Sequence, residues 1–157
     1  MPHIHTDIDY TLSVFIVRDG KVLLHTHRKY GMLLPPGGHI ELDEDPNEAA
    51  LREVKEECGL TVILIPPREV PVPLNEEGLK ELIEPFYFNI HQESEHHRHA
   101  DFVYFADAPT GEVVPEHETD AWHWYSTEEL SAQQNVWPST RFYALAAIAE
   151  VARRELQ

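Results

Sequence analysis

A chain of 157 residues holds one domain with a proper core and is too short for two full ones. Its 42% hydrophobic share and three Trp argue for a folded globule over disorder. A net charge of −16, from 28 acidic against 12 basic residues, argues against long nucleic acids, whose backbones are held by clustered Lys and Arg. No apolar run approaches the roughly 20 residues of a membrane-spanning helix. Met1-Pro2-His3-Ile4-His5 lacks the basic and apolar parts of a secretory signal, and a lone cysteine excludes an intramolecular disulfide. The expectation is a single cytoplasmic domain over residues 1–157, away from membranes.

Thr11 to Val17 and Lys21 to Arg28 are β-rich runs joined by Asp19-Gly20, a strong hairpin turn. Both strands should enter a central sheet. Arg28 and Lys29 close the second run just before a glycine loop, where cations meet a phosphate chain. A solvated strand end is the equal alternative. Leu33-Leu34-Pro35-Pro36-Gly37-Gly38 follows, and paired glycines let backbone approach a ligand closely.

From Gly38 to Leu60 the chain reads as a glycine loop running into a short helix. Asp45 suits the N-cap, Pro46 the first helical position, and Glu48 completes a capping box. Gly59 supplies the left-handed residue wanted after the last turn. Leu51, Val54 and Cys58 fall at helical spacing and are expected to face a core, with Cys58 as packing and not as nucleophile. Glu53, Glu56 and Glu57, at i, i+3 and i+4, gather on the opposite side. Three like charges destabilise a helix unless neutralised, and carboxylate oxygens are what hard divalent cations take. Residues 41–57 hold eight acids against two bases, so a phosphate is repelled without a cation. On spacing alone, a solvated acidic face is the alternative.

This stretch matches the signature box of the Nudix hydrolases: Gly, five residues, Glu, seven residues, then Arg-Glu-aliphatic-X-Glu-Glu-X-Gly-aliphatic. Gly38, Glu44, Arg52, Glu53, Val54, Glu56, Glu57, Gly59 and Leu60 fill all nine defined positions over 23 residues. The chain therefore resembles that family. The resemblance implies an α/β Nudix fold, a mixed β-sheet sandwiched between α-helices. It implies Mg²⁺ or Mn²⁺ held by Glu53, Glu56 and Glu57 with the carbonyl of Gly38. It also implies that Arg52 and Glu44 brace the loop against the helix, behind the ligands. Glu53 is the first choice as general base, with Glu116 and Glu118 of a late acidic loop as alternatives, and Glu118 is grouped with the catalytic carboxylates. His39 lies in the loop, either facing the phosphates or filling a variable position.

Thr61 to Ile65 reads as a short apolar strand. Residues 66–85 read as a proline-stiffened excursion with a helical-looking run from Glu76 to Glu84. Phe86 to His91 and Ala100 to Phe105 are strands, and Gln92 to His99 between them is expected to be a solvated hairpin loop. Its three histidines, His96, His97 and His99, invite a transition-metal reading, but they lack a cysteine partner and helical spacing. Glu112 to Glu118 is the acidic loop, Ala121 to Tyr125 a Trp-bearing strand, and Ser126-Thr127-Glu128-Glu129-Leu130 a helix start. A final helix from Ser139 to about Leu156 carries Phe142, Leu145, Ile148, Ala149 and Ala152 on the stripe expected to pack on the sheet.

The resemblance implies a metal-dependent pyrophosphohydrolase acting on a small nucleoside diphosphate derivative or nucleoside triphosphate. In such an enzyme, water with a metal-lowered pKa attacks phosphorus. The motifs of the coenzyme A and NADH subfamilies are not recognised. The dinucleoside polyphosphate type favours a downstream Tyr, and none occurs between Tyr30 and Tyr87. Pro71 and Pro73 lie where the ADP-ribose type favours a Pro, though in a segment full of prolines. A catalytically silent nucleotide-derivative sensor of the same fold is the alternative, and the intact glutamates argue against it. A homodimer is compatible with the sequence.

Overall fold

The computed structural model describes residues 7–69 and 78–157. Its centre is β1 (Ile8–Arg18), which turns through Asp19-Gly20, both at positive φ, into antiparallel β2 (Lys21–Thr26). On its other side β1 pairs in parallel with β7 (His97–Asp107), from Ile8 opposite Arg98 to Val17 opposite Asp107. A parallel pair needs a crossover, and the intervening chain supplies it with α1 (Pro46–Cys58). The sheet runs β3 (Leu33–Leu34), β2, β1, β7, β5 (Ile63–Leu64). Off that path, β4 (Gly37–His39) pairs with β1, β6 (Tyr87–Ser94) with β7, and β8 (Trp122–Tyr125) with β2.

Alternation along β1 explains why helices sit on both faces. Leu12, Val14 and Ile16 pack with Ala49, Ala50, Val54 and Cys58 of α1. Phe15 and Val17 point the other way and pack with Ala144, Ala147 and Val151 of α3 (Pro138–Glu155). Each fully buried Leu or Phe contributes on the order of 1.5–3 kcal/mol. The short helix α2 (Thr127–Ala132) is started by Ser126, whose hydroxyl accepts from Glu129 N–H in a capping box. The result is a mixed sheet between helices, as the resemblance implied. Among the described residues no helix is long and apolar enough to cross a membrane.

Several sequence expectations need correction. Leu51 does not face the core: it is 44% exposed, and Ala50 takes that place on the stripe with Val54 and Cys58. On α3 the buried stripe is Thr140, Ala144, Ala147 and Val151, while Phe142, Ala149 and Ala152 are exposed. Small residues let that helix approach the sheet closely, and the larger apolar side chains flank the contact. The hairpin of β6 and β7 runs further than its apolar residues suggest, so His97 and His99 lie in a strand, with the turn at Glu95-His96. Backbone pairing continues there because the ladder needs no apolar side chains. Residues 78–84 form no helix, and Pro71 and Pro73 lie outside the described residues.

Candidate active site

Helix α1 begins as its sequence requires. Asp45 accepts from Glu48 N–H at 2.9 Å, and Glu48 reaches back to Asp45 N–H at 3.0 Å. Gly59 ends it at φ 70°, its N–H donating to Lys55 O. The helix lies against β1 and against β4, whose Gly37 and Gly38 stand opposite Ser13 and Leu12. Both glycines are forced by proximity. A Cβ on Gly37 would meet Leu12 O at 2.2 Å, and one on Gly38 would meet Glu53 Oε1 at 2.4 Å. The backbone at Gly38 is therefore pressed against a helix carboxylate.

Arg52 uses all five of its N–H donors around this point. Nε and Nη2 hold Glu44 as a fork, at 2.9 and 2.7 Å, and Nη2 also reaches His39 O at 3.1 Å. Nη1 bridges Glu53 Oε1 at 2.9 Å and Glu56 Oε2 at 3.0 Å. One guanidinium thus ties the loop carboxylate, the β4 backbone and two carboxylates of the stripe together. Its hydrogen bond holds the Glu44 carboxyl below the usual range. Burial pushes the Glu53 carboxyl up, against the pull of Arg52.

Glu57 has no cation of this kind among the described residues. Among the described residues it accepts a longer bond from Gly37 N–H, at 3.3 Å. Burial, with the charges of Glu53, Glu116 and Asp120 added, pushes its carboxyl up to about 8. The loop that brings Glu116 and Asp120 close is stitched to the end of α1, since Glu116 N–H donates to Glu57 O and Val114 N–H to Cys58 O, both at 3.0 Å. Glu57 is thus a part-buried carboxylate that feels three neighbouring acids, of which Glu53 and Asp120 have their own arginine partners and Glu116 is exposed.

The other expected site residues are spread around this centre. Arg28 bonds Thr119 and Asp120, the latter at 2.8 Å, so it fixes the acidic loop beside Glu57. Lys29 pairs with Glu93 at 3.1 Å, which also accepts from Tyr30 Oη, on the side of β6. The ring of His39 turns to Asp9, with Nε2 3.1 Å from Oδ2. Glu116 and Glu118 are both exposed on the loop after residue 114. Asp120 did not stand out in sequence because it lies beyond the acidic run; its ion pair with Arg28 and its charge on Glu57 mark it in the structure. Cys58 is fully buried, its thiol pushed up to about 11 by burial, which suits packing.

A NUDIX domain family model matches residues 9–146. The chain belongs to that family. A crystal structure of a NUDIX-family hydrolase from Clostridium perfringens superposes with TM-score 0.83 at 40% identity, covering 91% of this chain and 97% of that one. A "Probable DHNTP pyrophosphohydrolase" of Lactococcus lactis subsp. cremoris (strain MG1363) is 27% identical over 108 residues, 66% of this chain and 57% of that protein. An "m7GpppN-mRNA hydrolase NUDT17" of Xenopus laevis is 39% identical over 59 residues, 34% of this chain and 20% of that protein. The matches thus span less than two thirds of the length of both curated relatives. NUDIX proteins generally use divalent metal ions. The donor set here fits such an ion, because it is all oxygen and the absence of a Cβ at Gly38 lets the Glu53 carboxylate lie directly against the β4 backbone.

Proposed function

We propose that this NUDIX protein is a metal-dependent pyrophosphohydrolase of small nucleoside diphosphate derivatives or nucleoside triphosphates. The observation that carries it is the approach of Gly38 backbone to Glu53, with Glu56 joined to Glu53 through Arg52 and Glu57 bonded to Gly37. Glu53, Glu56, Glu57 and the carbonyl of Gly38 would hold Mg²⁺ or Mn²⁺. When bound, the ion neutralises the diphosphate and acidifies water. Arg52 and Glu44 keep the carboxylates and the β4 backbone in register. Glu53 is the first choice to take the proton of the attacking water, at a carboxylate oxygen not given to the ion, and Glu116 or Glu118 takes it if Glu53 serves only as ligand.

Arg28 and Lys29, bonded to Asp120 and Glu93, are the cations offered to a phosphate chain, and His39 is the further candidate contact from the glycine loop. The two curated relatives are named for hydrolytic activities, one of them a probable pyrophosphohydrolase, which supports the reaction class. The acidic charge of the chain favours a small ligand over a long nucleic acid. The protein is read as one cytoplasmic domain over residues 1–157, and light scattering decides between monomer and homodimer.

A screen for nucleoside monophosphate formation, read by chromatography, over nucleoside diphosphate derivatives and triphosphates tests the activity. Turnover of at least one compound that requires Mg²⁺ or Mn²⁺ is expected. Silence across the panel with the metal present would overturn the reading.

A further inference from the structure

We propose that Asp9, His39 and His99 form a second metal site, distinct from the α1 carboxylates, that takes a divalent transition ion such as Zn²⁺. Three strands bring these residues to one face of the sheet. Asp9 of β1 stands directly opposite His99 of β7 in the parallel ladder, and His39 of β4 stands opposite Thr11, two residues on from Asp9. Their ligand atoms all lie within 4.8 Å of one another.

The cluster is wider than three residues. Asp9 Oδ2 lies 3.1 Å from His39 Nε2 and 3.0 Å from His97 Nε2. The His99 ring stands edge-on to His39, His97 and His91, at 5.2 to 5.5 Å between centroids. A carboxylate ringed by imidazoles is a nitrogen-rich donor set, which suits Zn²⁺, Cu²⁺ or Ni²⁺ and not Mg²⁺. Zinc holds such ligands at about 2.0–2.2 Å, so the donors must draw together by small side-chain rotations. The Asp9 and His39 side chains are 40% and 55% exposed and have room to turn, while the strands fix their backbones. His97 stands beside the three, its Nε2 on the same Asp9 oxygen.

Binding would join β4 to β1 and β7 through side chains as well as backbone. The carbonyl of His39 already receives Arg52, so the ion would sit one residue from the loop at Gly38. Nothing in this inference depends on the substrate or on hydrolysis.

The test is equilibrium dialysis of the whole, metal-stripped protein against Zn²⁺ with Mg²⁺ in large excess. It is repeated on His39→Gln, His99→Ala, Asp9→Asn and Glu56→Gln, each checked for folding by circular dichroism. One Zn²⁺ per chain is expected for the unaltered protein and for Glu56→Gln. The His and Asp variants should bind it about 10- to 100-fold more weakly or worse, since even residues behind the ligands act on that scale. X-ray absorption of the zinc-loaded protein should show imidazole scattering. Zinc binding that survives in all three cluster variants, that disappears under Mg²⁺, or that is lost in Glu56→Gln would overturn the proposal. The conservative Asp9→Asn and His39→Gln decide the matter if His99→Ala fails to fold.

Discussion

The Cα of Gly38 lies so close to Glu53 that a Cβ there would stand 2.4 Å from Oε1 and 2.5 Å from the carboxyl carbon. At the neighbouring Gly37 the obstacle is Leu12 O, which is backbone and cannot yield. The two glycines should therefore fail differently. Gly38→Ala should displace Glu53 and cut turnover roughly 100-fold, as misplacement by about an ångström does, while largely keeping stability. Gly37→Ala should cost about 1–3 kcal/mol of stability through overpacking against β1. Thermal melts and initial rates on both variants check this, and equal losses in both would speak against it.

Arg52 and Glu44 should behave as a coupled pair. The fork between them is partly buried, and every N–H of Arg52 is engaged. Arg52→Lys keeps the charge but cannot span Glu44, Glu53, Glu56 and His39 O together, so a loss of about 1–3 kcal/mol is expected. A double-mutant cycle with Glu44→Gln should return a coupling of similar size. A coupling near zero would mean that the fork holds nothing in place.

Glu57 sets a pH dependence whose sign is fixed. Its carboxyl titrates near the ordinary 4.5 when unfolded and at about 8 when folded, because burial and neighbouring acids oppose its charge. The folded state holds the proton more tightly. Its contribution is thus full below about 4.5 and is lost as pH rises through about 8. Metal-free protein should lose stability over that window relative to Glu57→Gln, and added Mg²⁺ should stabilise the unaltered protein more as pH rises. Melting curves in EDTA from pH 5 to 9 read this directly. Parallel pH profiles for the two proteins would refute it.

Cys58 should be inert in the folded protein. It is fully buried with a raised pKa, and its Sγ donates to Val54 O at 3.1 Å. Ellman's reagent should label it only in denaturant. Prompt labelling of the native protein would place it elsewhere.

The box helix was legible because its signals are local and agree. Cap, proline, capping box and terminal glycine all mark the same 13 residues. Periodicity was less informative about which side is buried. On α1 the sequence favoured Leu51 as the larger apolar side chain, whereas the contact with the sheet is made by Ala49 and Ala50. On α3 the same preference picked Phe142 over Ala144, although close approach to a sheet selects the small residue. The histidines of residues 97–99 were hidden for another reason. Their meeting with Asp9 and His39 depends on a parallel strand pairing across about 90 residues of chain, which no local pattern shows.

The central claim is that the carboxylates of α1 hold a divalent ion that hydrolysis requires. Glu56→Gln tests it most directly, because the Glu56 side chain is 55% exposed and its replacement should leave the fold intact. The measurement is nucleoside monophosphate formation from the best substrate in the screen, with Mg²⁺ or with EDTA, for the unaltered protein and for Glu56→Gln. Turnover that needs the metal and falls roughly 100-fold or more in the variant is the expected result. Full turnover by Glu56→Gln, or by the unaltered protein in EDTA, would contradict the claim.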